Sequence, residues 1–185
     1  MKVRDKYRGL SQKELLDKAY DLGFNFEKNC GSCSQCTVAA IHELLDIDNV
    51  VVKVACSSAG GQCGRVVGTC GGLIGGTMIL DYFFGRPVEK MSHQEGHPCN
   101  VEIHRDALDI SQLLYDKYLK EYGTIICPHI QEQLFGRHFF FLDEGDLEKF
   151  DAAGGHSAPD KCSHIVGNAA RFTMEILLDK GIIEL

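Results

Sequence analysis

The chain has 185 residues, nine cysteines and no tryptophan, a length that suits one domain with a substantial core. Its 19 Lys and Arg against 26 Asp and Glu give a net charge of −7 with no basic patch, which argues against a nucleic-acid partner. Met1 to Leu16 carries no apolar signal region, and the longest apolar stretch, Leu73 to Leu80, falls short of the about 20 residues a membrane span needs. These features place the chain in a reducing cytoplasm. Structural disulfides are uncommon there, and an odd number of cysteines cannot all pair, so metal binding or redox work is the better expectation.

Taken in order, Ser11 to Glu14 reads as a capping box opening a first helix, with Leu15, Ala19 and Leu22 on one stripe and Gly23 ending or bending it. A second helix is predicted from near Ser32 to about Asp46, with the stripe Cys33, Thr37, Ala40, Ile41 and Leu44. Asp48 caps a short third helix that turns Val50, Val51 and Val54 inward, although its β-branched run also suits a strand. Residues 57–69 are small and glycine-rich, a loop. Thr69 is the expected cap of a fourth helix, from Cys70 to Phe84, and residues 88–98 form a polar loop. A long helix follows from about Cys99 to Tyr122, with Ile103, Ala107, Ile110, Leu114 and Tyr118 on one face. Pro128 in a first turn opens a short helix with Cys127, Ile130 and Leu134 inward. Residues 136–156 are mixed, with Phe139 to Phe141 as a short extended piece. Ser157 to Asp160 reads as a second capping box, opening a last helix whose stripe is Cys162, Ile165, Val166, Ala169, Thr173, Ile176 and Leu177. The expectation is one all-α domain over residues 1–185, with six to eight helices around a cysteine-lined core.

Four cysteines share a placement. Cys33, Cys70, Cys127 and Cys162 each fall at or near the start of a separate predicted helix, with apolar residues following on the same face. Four thiols aimed at one core can build a cluster or metal site, and the positive end of each helix dipole favours the thiolate. Cys30, Cys33 and Cys36 open like a ferredoxin run, but Ala40 stands where its Cys-Pro would begin. Steps of three spread those thiols over about 120° of helix, so Cys33 fits the core and Cys30 and Cys36 read as incidental or partly exposed. Gly71 and Gly72 let backbone amides approach the Cys70 sulfur. Gly64, Gly68, Gly72 and Gly76 recur every four residues, a stripe for close helix packing that also leaves room for a cofactor or second subunit. His93, His97 and Cys99 are solvated loop residues with a zinc site as the sharper alternative. His129 and His164 lie two residues beyond core cysteines and point away from them. No nucleotide-binding motif and no Cys-x-x-Cys-His haem motif occurs.

Cys33, then Cys70-Gly71-Gly72-Leu73-Ile74-Gly75, then Cys127 and Cys162 resemble the redox-active protein family named for its C…CGAxxG…C…C signature, over roughly residues 20–180. The same domain is similar to the cluster-bearing part of split-Soret cytochromes, whose haem motifs are missing here. Gly72 replaces the usual Ala, a small-for-small change expected to leave packing intact. The resemblance implies an iron–sulfur or redox role, and it points, as does the glycine stripe, to a homodimer. The leading expectation is an electron-transfer protein with a [2Fe–2S] or [4Fe–4S] cluster on Cys33, Cys70, Cys127 and Cys162, serving a redox partner protein. The alternatives are a thiol–disulfide oxidoreductase using Cys30, Cys33 and Cys36, and a structural zinc site on the same four thiolates.

Overall fold

Helix capping and apolar stripes place most of the chain. A computed structural model describes residues 1–95, 97 and 99–185; Gly96 and Pro98 of the expected polar loop lie outside the described residues. The Ser11–Glu14 capping box forms in both directions and starts α1 (Gln12–Cys30). Gly23 neither ends nor bends this helix. A Cβ there would lie 2.7 Å from the Val166 carbonyl oxygen and 3.0 Å from the Ala170 Cβ, so the missing side chain lets α1 lie against α8 (Cys162–Asp179). Next come α2 (Cys33–Leu44) and α3 (Asn49–Val54), the latter capped by the Asp48 carboxylate, which accepts from the Val50 amide. The valine run is helical, but six residues cannot turn three valines inward: Val51 is buried, while Val50 and Val54 are 52% and 61% exposed.

The fourth helix, α4 (Gly71–Phe84), is capped by Cys70 rather than Thr69. Thr69 instead pairs with Ile126 in an isolated antiparallel bridge. After α5 (Val101–Tyr122), capped by Asn100, comes α6 (Cys127–Phe135) with Pro128 in its first turn. Phe139 to Phe141 form no strand. Phe139 and Phe141 turn their rings onto Phe150, with centroids 5.6 and 4.7 Å away. Phe150 belongs to α7 (Glu144–Ala152), a helix within the stretch expected to be mixed, which Asp143 caps by accepting from the Asp146 amide. The second capping box does not form: residues 157–160 are turn and bend, the Asp160 carboxylate pairs with Lys161, and α8 begins at Cys162.

Among the described residues there are eight α-helices, and the only β pairings are three isolated bridges. The core runs through Leu15, Ile41, Leu73, Leu114, Met174 and Ile176. Of the glycine stripe, Gly64 and Gly68 lie in the loop before α4. Gly76 lies against Thr173 and Leu114, and Gly75 against Ser34 and Thr37 of α2. Gly72 and Gly76, the α4 members of the stripe, are covered by this chain's own helices and serve packing within the chain. No described helix is long and apolar enough to cross a membrane.

Candidate functional site

All four expected cysteines stand at helix starts. Cys33, Cys127 and Cys162 are the first residues of α2, α6 and α8, and Cys70 is the N-cap of α4. Specific contacts bring these starts together. The Thr69–Ile126 bridge is closed by Cys70 N–H to the Ile125 carbonyl and Cys127 N–H to the Gly68 carbonyl, both 2.8 Å. Lys161, just before Cys162, donates to the Leu134 carbonyl at the end of α6, 2.7 Å. Ser34 in the first turn of α2 donates to the Ala55 carbonyl, 2.6 Å, fixing the segment that leads into the loop.

The four cysteines line one cavity of about 250 Å³, with Glu27, Gly60, Phe141, Phe150 and His156 among its walls. They share a chamber rather than a point: among the described residues, no three metal-binding side chains are gathered as a single-ion site. Gly71 is part of the wall, and a Cβ on it would run into the Cys33 sulfur. The loop that covers the sulfurs is strained. Gln62, Cys63 and Val66 have φ of 75°, 51° and 53°, the left-handed region that L-residues and above all β-branched ones avoid. Within it Gly60, at φ +57°, directs its amide to the Cys33 sulfur at 3.4 Å. The Gln131 side-chain amide donates to the Cys127 sulfur at 3.7 Å.

Burial outweighs the helix dipoles. It pushes the Cys33 and Cys162 thiols well above the ordinary range, Cys127 up to about 12, and Cys70 upward. The thiols also oppose one another's ionisation: charge on Cys70 raises Cys33, Cys127 and Cys162, and charge on Cys127 raises Cys33 and Cys162. The amides of Gly72 and Leu73 pull Cys70 back down in part. The expected dipole-stabilised thiolates are therefore thiols when no cation is present.

Several wall residues were not foreseen. Glu27 is almost fully buried, and burial raises its carboxyl to about 7. One carboxylate oxygen has no partner, and the other lies 3.6 Å from His156 Nε2. A sequence signal existed: Leu15, Ala19, Gly23 and Glu27 follow at steps of four, which puts a carboxylate on the buried stripe. Gln131, one turn after Cys127, was available in the same way. Cys36, expected to be incidental or partly exposed, is a buried residue beside Glu27, and its thiol is also pushed up by burial. Cys30, Cys56, Cys63 and Cys99 are exposed and stand outside the cavity. His93 and His97 are exposed, and Cys99 accepts from Arg86 at 3.1 Å. His129 and His164 do not reach the cavity; His164 bonds Tyr20 and Asn168 instead. Gly72 is not an indifferent position: a methyl there would lie 2.7 Å from the Tyr118 hydroxyl and 3.2 Å from the Ala169 Cβ.

Residues 31–176, which contain all four cavity cysteines, match the family model described as "Putative redox-active protein (C_GCAxxG_C_C)". The chain belongs to this redox-active family. The family's description carries four cysteines, and the four that line the cavity here are collected by three-dimensional packing, not by sequence proximity. No curated protein and no solved structure matches the chain.

Proposed function

We propose that Cys33, Cys70, Cys127 and Cys162 bind an iron–sulfur cluster and that the chain carries electrons between partner proteins. One observation carries the reading: four cysteines from four helix starts line a single chamber. Four thiolates are the usual ligand set of both [2Fe–2S] and [4Fe–4S] clusters. The chamber's size favours a cluster over a lone zinc ion. Sulfurs held about 2.3 Å from one ion close around it, whereas these line a space of about 250 Å³. Electrostatics point the same way. Four mutually repelling thiolates are unfavourable in a buried site, and the positive charge of bound iron offsets that repulsion. The Gly60 and Gln131 amides then serve as donors to ligand sulfurs, which is how proteins set cluster potentials.

When bound, the cluster supplies a site that takes up one electron and releases it. The electron arrives from a reduced carrier protein and leaves to an oxidised one, with no bond made in a substrate. The reading keeps the chain in a reducing, cytoplasmic setting, where the five other cysteines stay free.

The test is protein purified without oxygen, examined by visible absorption and by iron and sulfide analysis. A brown protein with equal iron and sulfide is expected. Cys70→Ser should lose most of its iron, because a hard hydroxyl poorly replaces a soft thiolate, while Cys99→Ser should retain it. Full iron in Cys70→Ser, or zinc without sulfide in the wild type, would sink the assignment. The thiol-exchange alternative expects the reverse order, with Cys30→Ser and Cys36→Ser most damaging and Cys70→Ser mild.

A further inference from the structure

Tyr118 of α5 is fully buried, and its hydroxyl has no hydrogen-bond partner. A buried hydroxyl without a partner carries a desolvation penalty that phenylalanine would avoid. Packing does not explain the hydroxyl, since the ring alone makes the edge-on contacts to Tyr122 and Phe172, at 5.2 and 6.3 Å between centroids. Its position is informative. The hydroxyl fills the space in front of Gly72, in the first turn of α4, where an added Cβ would lie 2.7 Å away. The residue that caps that turn is Cys70, two positions before Gly72.

We propose that Tyr118 is a positioning residue whose hydroxyl donates a hydrogen bond to the Cys70 sulfur when that sulfur is a metal-bound thiolate, and that Gly72 lacks a side chain to admit it. The inference rests on the cluster reading above. It explains the orphan: a neutral thiol is a weak acceptor, whereas a thiolate is a strong one, so the hydroxyl gains its partner on ligation. A donor to a ligand sulfur stabilises the more negative, reduced cluster and raises its potential. Tyr118 would thus set how readily the site accepts an electron, without touching iron.

The experiment uses the wild type, Tyr118→Phe, Gly72→Ala and the double variant, each reconstituted anaerobically with ferrous iron and sulfide. Iron per chain, circular dichroism and the reduced-to-oxidised ratio at a fixed solution potential are read on each. Tyr118→Phe should keep its iron and helicity, with the ratio falling roughly 3- to 10-fold, the size of one such hydrogen bond. Gly72→Ala should shift the ratio in the same direction by displacing the hydroxyl. In the double variant the Gly72→Ala shift should vanish, because nothing remains to displace. An unchanged ratio in iron-loaded Tyr118→Phe overturns the proposal, as does iron loss in that variant with helicity intact, which would mark a loading role instead. Wild-type protein that takes up no iron and sulfide overturns the cluster reading itself, a result separate from either.

Discussion

Glu27 shows how one misplaced-looking residue shapes the site. Its carboxyl ionises near 4.5 when solvated but near 7 in the fold, mainly through burial and against help from the Cys36 thiol and Ser32 amide. Between those pH values the native chain holds a proton that the unfolded chain has released. Stability of the iron-free protein should therefore be highest below about pH 4.5 as far as Glu27 is concerned, and fall as pH rises through 7, by about 3 kcal/mol in all. His156 faces Glu27 and works in the opposite sense, because burial lowers its pKa below 6.5. The Glu27 contribution is thus read as a difference: urea denaturation of wild type and Glu27→Gln from pH 5 to 8 should show the variant gaining on the wild type as pH increases. A constant difference across that range would mean that Glu27 does not carry the proton.

At the scale of elements, what the sequence reveals depends on how local the cause is. The stripes of α1, α2, α5 and α8 are periodic over many residues, and the structure buries them as their spacing requires. Helix starts are less legible, because tertiary contacts compete for the cap. Thr69 is diverted into the bridge with Ile126, and Asp160 turns to Lys161 instead of closing a box on Ser157. The aromatic run before α7 hides a helix whose one buried residue is Phe150. Gly23 looks like a helix end in sequence, but it, like Gly75 inside α4, sits where a neighbouring helix passes close by. Gly75→Ala would push a methyl against the Ser34 carbonyl and to 2.9 Å from the Thr37 Cβ. Backbone cannot yield there, so a net loss of about 1–3 kcal/mol is expected despite alanine's better helix propensity. Gly145→Ala in α7, with only the Asp143 carboxylate oxygen at 3.3 Å, should instead be neutral or gain up to about 1 kcal/mol. Equal effects at the two sites, measured by denaturant midpoint, would remove the close-approach explanation for the α4 glycines.

Across the whole molecule, the site ties together parts of the chain that no local interaction joins. Cys33 and Cys162 lie near opposite ends of the sequence, yet both line the chamber with Cys70 and Cys127. A ligand held by all four would act as a cross-link between four helix starts, and its binding free energy becomes folding free energy. The α1–α8 packing, by contrast, rests on the close approach of Gly23 to Val166 and Ala170 and does not need the cluster. Two levels of stability follow. Anaerobic removal of iron by a chelator should speed amide exchange at the first turns of α2, α4, α6 and α8 together, by roughly tenfold or more, and leave the middle of α1 and α8 protected. Cys162→Ser should do the same although it alters only one ligand, because a quartet missing one member no longer fastens the other three. Exchange that rises only at the start of α8 in that variant would show that the four thiols are neighbours without being joined.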